Sequence, residues 1–187
     1  MSNAIAAGNR VASLLAERVK GKVYLCFFNE SPTFLDVTGL SLTQIEEKTR
    51  RITASGCTSI GCGLDYLRSK SITVDGIAIV SDGGDNANPY FHAAYKKYTE
   101  ALDIEPTVYF YLLEGSEGNA LTSYLKGANI TFEQFNLGNK VDYYALPGLI
   151  ETMRVNRFSL VDEIMDTPLL TFAKVFETKE DYGYATA

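Results

Sequence analysis

Asp82, Asp85 and Asn86 crowd the end of the stretch Asp-Gly-Ile-Ala-Ile-Val-Ser-Asp-Gly-Gly-Asp-Asn, residues 75–86. Carboxylate and amide oxygens so close together are hard ligands of the kind magnesium takes. Ile77 to Val80, just before them, read as a buried strand, which places Asp82 at its carboxyl end. In an open α/β sheet ligands bind at that end, because the loops leaving the strands part there. Gly83 and Gly84 allow an immediate turn, with positive φ accessible at little steric cost. A plain turn is the competing reading, since Asp and Asn side chains bond their own backbone without any ligand.

A second stretch, Thr53 to Gly61, collects hydroxyls and glycines ahead of a helix expected over Cys62 to Ser69. Hydroxyl oxygens and exposed amides at a helix amino terminus can meet a ligand. The same residues also suit an ordinary helix start with Thr58 or Ser59 as the N-cap. Other chemistry has little support. His92 is the single histidine, falls in a helix expected over Pro89 to Leu102, and reads as structural. Cys26, Cys57 and Cys62 have no metal-ligand spacing, and Cys26 lies inside an apolar run where packing explains it. No nucleophile is paired with a base, and neither Gly-x-Gly-x-x-Gly nor a P-loop occurs.

The elements that must position these residues follow from hydrophobic period. Ile5, Val11, Leu14, Leu15 and Val19 form a helical stripe over Ser2 to Lys20, and Gly21 ends it. Val23 to Phe28 are continuously apolar, as in a strand buried on both faces, and Thr33 to Thr38 return as an antiparallel partner. Ser41 is placed to cap a helix running to Ile52. Thr107 to Leu113 are aromatic and β-branched, a strand, followed by a helix at Leu121 to Lys126 and a strand at Ile130 to Phe135. A closing helix is expected over Tyr143 to Val155, started or broken at Pro147. Arg157 to Phe176 carry no clear period, and Glu177 to Ala187 read as a polar tail. Strands alternating with helices imply an α/β doubly wound, mainly parallel sheet, with helices on both faces and one antiparallel edge hairpin. The expected division is a domain over 1–155, an extension over 156–176 packed on it, and a tail over 177–187.

Composition bounds the function. With 187 residues the chain can bury one sizeable core, and no apolar run reaches the roughly 20 residues of a membrane helix. Seventeen basic against twenty-three acidic residues give a net charge of −6, the wrong sign for holding a phosphate backbone unaided. The twelve tyrosines therefore read as packing rather than as a base-stacking surface, Tyr95, Tyr98, Tyr109 and Tyr111 among them. An odd number of cysteines, with no secretory leader to be read, suits a reducing compartment, and the expected location is cytoplasmic.

Element order and two loops together resemble the von Willebrand factor A domain. Gly56-Cys57-Thr58-Ser59-Ile60 is similar to that family's threonine loop and points to Thr58; Ser81-Asp82-Gly83 is similar to its acidic strand end and points to Asp82. The resemblance covers about residues 1–155. It implies a metal-ion-dependent adhesion site for Mg2+ or Mn2+, with Thr58 and Asp82 as ligands and Ser59, Ser81, Gly83 and Asp85 around them. In that family a first, central strand carries an Asp-x-Ser-x-Ser signature. Here the residues before the first helix contain neither. The resemblance implies that this strand comes from a preceding segment or a separate chain, that two strand edges stand unpaired beside an open slot, and that cation binding by this chain alone is weak. A narrower likeness, to the A domain of Ro-type particles that bind small RNAs, implies RNA association only through a larger parent protein. The expected function is a noncatalytic, cation-dependent module for a protein partner that offers a carboxylate. The alternative is a magnesium-dependent phosphohydrolase using Asp82 and Asp85.

Overall fold

The computed structural model describes residues 2–29, 31–53, 56–113, 120–138 and 148. The chain divides into two units, Met1–Arg154 and Val155–Ala187, and all described residues lie in the first. The helix expected over Tyr143 to Val155, apart from Gly148, and the segments Arg157 to Phe176 and Glu177 to Ala187 fall outside the described residues.

Ten elements follow in order: α1 (Ser2–Arg18), β1 (Tyr24–Phe27), β2 (Thr33–Asp36), α2 (Leu42–Thr49), α3 (Cys62–Ser69), β3 (Gly76–Ser81), α4 (Phe91–Leu102), β4 (Thr107–Leu113), α5 (Ala120–Gly127) and β5 (Phe132–Gly138). The class is mixed α/β, as the alternation of periods requires. Local signals place most elements. Ser41 caps α2 through a capping box, its Oγ accepting from the Gln44 N–H while Gln44 Oε1 accepts from the Ser41 N–H. The last strand is displaced from its expected position, starting at Phe132 instead of Ile130 and continuing to Gly138. Its register is set by pairing with β4, which includes an irregularity at Leu112 and Leu113.

The expected parallel strands and antiparallel hairpin are both present, in two sheets. Among the described residues β3, β4 and β5 form a parallel sheet with β4 central, while β1 and β2 form a separate antiparallel hairpin. Pairing shows in burial. Val108 to Tyr111 of β4, paired on both edges, are all buried, whereas Ile77, Ala78 and Val80 of β3 and all of β1 are only half-buried. Val23 is buried, but Tyr24 to Phe28 are only half-buried where their apolar run predicts burial on both faces, and among the described residues β1 has a neighbour on one edge only.

Side chains alternate across each strand and sort into two layers. Ile79, Val108 and Phe110 face α3, α4 and α5, in one cluster with Leu64, Leu67, Phe91, Tyr98, Leu121 and Leu125. On the other side, Tyr109, Tyr111, Ala78 and Val80 meet Ala7 and Val11 of α1. Phe28 and Phe34 pack on the first cluster, while Leu25 and Leu35 of the hairpin join Ala12 of α1 and Ile45 of α2 in a third, smaller cluster.

The tyrosines serve packing, as their spacing predicts. Tyr111 stacks on Phe135 at 5.3 Å, and Tyr95 Oη donates to the Pro106 carbonyl at 2.8 Å. Tyr98 is wholly buried; its Oη donates to the Ile72 carbonyl at 2.8 Å and accepts from the Val74 N–H at 3.1 Å. Removing that hydroxyl strands two backbone groups next to the core. Tyr98→Phe should cost about 2 kcal/mol, read as a lower urea midpoint at unchanged slope. A midpoint equal to that of the parent would mean that water reaches both groups.

Candidate functional site

The carboxyl end of β3 turns sharply at Gly83, whose φ of +86° is the left-handed conformation a glycine accepts without strain. Ser81, buried behind the turn, accepts the Gly83 N–H on Oγ at 3.1 Å. Asp82 is exposed, and its Oδ1 accepts the Gly84 N–H at 3.1 Å. This is the Asx turn that the plain-turn reading predicts, and it fixes the direction of the Asp82 carboxylate. The Gly83 carbonyl accepts the Leu121 N–H at 3.1 Å, so the turn is also tied to the start of α5.

The threonine loop lies against the chain that follows this turn. The Thr58 N–H donates to Asn86 Oδ1 at 2.8 Å, and the Thr58 carbonyl accepts the N–H groups of Asn86 and Ala87, each at 2.9 Å. These bonds use the main chain of Thr58 and leave its hydroxyl as an oxygen donor. Next in sequence, the Ser59 N–H donates to the Asn29 carbonyl at 3.1 Å, just beyond β1. Ser59 is fully buried and its Oγ donates to the Pro89 carbonyl at 2.8 Å. Neither Thr58 nor Ser59 caps α3. Gly61 occupies that position, with no side-chain cap. A Cβ on Gly61 would meet the Pro89 carbonyl oxygen at 2.5 Å, so close packing of two loops governs this helix start.

Asp85 is the internal support of the site. Only 3% exposed, it accepts the Ile60 N–H on Oδ1 at 3.1 Å and the Phe91 N–H on Oδ2 at 2.7 Å. One carboxylate therefore joins the threonine loop, the turn after β3 and the amino terminus of α4. Burial pushes its carboxyl above the usual carboxylate range, while the amides of Phe91 and Ile60 and the nearby His92 pull it back. Both oxygens are engaged with backbone donors, so Asp85 works as a brace. The sequence places Asp85 only near a turn; its burial and its partner at Ile60, distant in sequence, are not legible there.

His92 sits in the first turn of α4 between Tyr90 and Tyr124, with ring centroids at 6.0 and 5.0 Å. Its Nδ1 is buried with no partner among the described residues. Cys57 is exposed and Cys62 buried; burial, with Cys62 adding, pushes the Cys26 thiol up to about 12, so Cys26 is unreactive at neutral pH.

As a donor set for a hard cation, Thr58 Oγ1 and the Asp82 carboxylate are too few by themselves. Among the described residues no three of His, Cys, Asp and Glu gather into a metal-holding group. Magnesium requires near-octahedral oxygen coordination, so these two residues fit a cation only as part of a larger set. No helix among the described residues is long and apolar enough to cross a membrane. Comparisons with protein-family models, with curated proteins and with solved structures return no match.

Proposed function

We propose that this chain is a noncatalytic protein-binding module that works from the carboxyl end of β3. Thr58 and Asp82 contribute two oxygens to a Mg2+ or Mn2+ ion, and the remaining ligands come from water, a partner carboxylate and residues supplied from outside the described structure. The observation that carries this reading is the bracing of two loops against each other. Thr58 is bonded to Asn86 in both directions, and Asp85 holds Ile60 and Phe91, so an exposed carboxylate and a hydroxyl-bearing loop are held on the same rigid edge. The reading also rests on the resemblance to a von Willebrand factor A domain, and that family is part of the proposal. A phosphohydrolase that uses Asp85 as a ligand has less support, since both oxygens of that carboxylate already accept backbone amides.

Titration of the 187-residue chain with MnCl2 and MgCl2 by calorimetry tests the reading. Binding should be weak, with a dissociation constant on the order of millimolar, and should disappear in Asp82→Ala. That substitution removes an exposed side chain and should leave stability within about 1 kcal/mol of the parent. Equal cation binding by parent and Asp82→Ala would take Asp82 out of the site.

A further inference from the structure

Two Asp-Gly pairs flank β3: Asp75 with Gly76 at its start and Asp82 with Gly83 just beyond its last residue. In such a pair the glycine nitrogen can attack the aspartate Cγ, because no Cβ on the glycine obstructs the approach. The N–Cγ bond forms while the glycine N–H proton and a carboxyl OH leave together as water. Water then opens the cyclic imide at the aspartate's own main-chain carbonyl carbon, breaking its bond to the glycine nitrogen. The product is isoaspartate, of unchanged composition, whose main chain runs through Cβ and Cγ and is one carbon longer. Nothing is oxidised or reduced.

The two pairs stand in different surroundings. Asp82 is exposed, but Gly83 is buried, and its N–H donates to Ser81 Oγ at 3.1 Å. The same hydroxyl donates to Asp82 Oδ1 at 3.4 Å, and the Gly84 N–H donates to that oxygen at 3.1 Å. Ser81 is itself buried. One hydroxyl therefore holds both reacting groups. Solvent base does not reach the amide proton that must leave, and the carboxylate cannot close on the nitrogen until the turn opens locally. At the other pair Asp75 and Gly76 are both exposed, and the residue before them is Val74, which has no hydroxyl to offer. The bond from the Thr107 N–H to the Asp75 carbonyl, at 3.1 Å, involves neither the Gly76 nitrogen nor the carboxylate.

We propose that Asp75 is the residue this chain converts spontaneously to isoaspartate, and that the Ser81 hydroxyl shields Asp82 from the same reaction. The inference goes beyond the cation reading and stands without it. It bears on that reading in one respect: isomerisation at Asp82 would lengthen the turn by one carbon and displace the carboxylate assigned to the cation.

The test is incubation of the full chain in neutral buffer with EDTA, then labelling by protein isoaspartate methyltransferase and peptide mapping by mass spectrometry, which reads each site separately. A capped synthetic peptide spanning 73–86, which holds both pairs without the fold, is the reference. In the chain Asp82 should react at least about tenfold more slowly than in the peptide, and more slowly than Asp75. Ser81→Ala should speed the reaction at Asp82 and leave Asp75 unchanged, whereas Ser81→Thr, which keeps a hydroxyl, should retain the protection. Equal rates at Asp82 in chain and peptide would overturn the inference with no variant needed, as would a chain in which Asp75 forms no isoaspartate or reacts no faster than Asp82. An unchanged or slower reaction at Asp82 in Ser81→Ala would overturn the role of the hydroxyl. So would an equal rise at both sites, which reports general unfolding. Because EDTA removes any cation, none of these outcomes depends on the cation reading, and failure of that reading leaves them as they are.

Discussion

Asp85→Ala should lose about 4 kcal/mol of stability, about 2 for each of the two backbone amides left without its carboxylate acceptor in a buried loop. The brace it removes spans three segments: Ile60 on the threonine loop, the turn after β3 and Phe91 at the start of α4. Against a typical total of about 5–15 kcal/mol, such a loss brings the domain close to unfolding at ambient temperature. Urea denaturation followed by circular dichroism measures it, and a loss below about 1 kcal/mol would mean that water replaces the carboxylate. Asp85→Asn retains one acceptor oxygen and should fall between the two.

The same residue sets a pH dependence. Burial raises its folded-state pKa above the ordinary 3.8, so the folded chain binds that proton more tightly than the unfolded chain does. By linkage, its titration favours the fold below the ordinary value, and that contribution is lost as pH rises through the raised one. Asp85→Ala should remove this slope from a stability profile measured between acid and neutral pH. An unchanged slope would assign it to another group.

Gly61→Ala should be nearly as damaging, at about 3 kcal/mol or more. Its added Cβ would lie 2.5 Å from the Pro89 carbonyl oxygen, 2.8 Å from that of Tyr90 and 2.9 Å from Ala94 Cβ, and two of these three are backbone atoms with little freedom to give way. Conformation offers no excuse for the cost. Gly61 has φ −72° and ψ −15°, where alanine is at ease and where the exchange would otherwise gain roughly 0.5–1 kcal/mol. The loss therefore reports the approach of α3 to the loop before α4. Gly8→Ala is the matched control, since a Cβ there meets nothing within 4 Å inside a helix, and it should be neutral or stabilising. Equal effects of the two substitutions would rule out the steric account.

What the residues determined alone was local. β4 spans the expected Thr107–Leu113 and α3 the expected Cys62–Ser69, because aromatic and β-branched runs, and helical period, act over a few neighbours. Ser41 marked the start of α2 for the same reason, its capping partner being three residues away. The turn at Gly83 and the Asx bond of Asp82 were legible too, since both are made within the turn. Tertiary structure decided the rest. That β1 and β3 lie in separate sheets depends on which strand edges meet, and an apolar run such as Val23 to Phe28 reads the same whether one edge is paired or two. Asp85 looked like one more oxygen near the turn, yet its partner Ile60 precedes it by 25 residues and turns a candidate ligand into a brace. Gly61 rather than Thr58 or Ser59 starts α3 because the loop ending at Tyr90 occupies the space a side chain would need. Hydrogen bonds and close contacts between segments distant in the chain leave no period in the sequence, so they became visible only once the chain was folded.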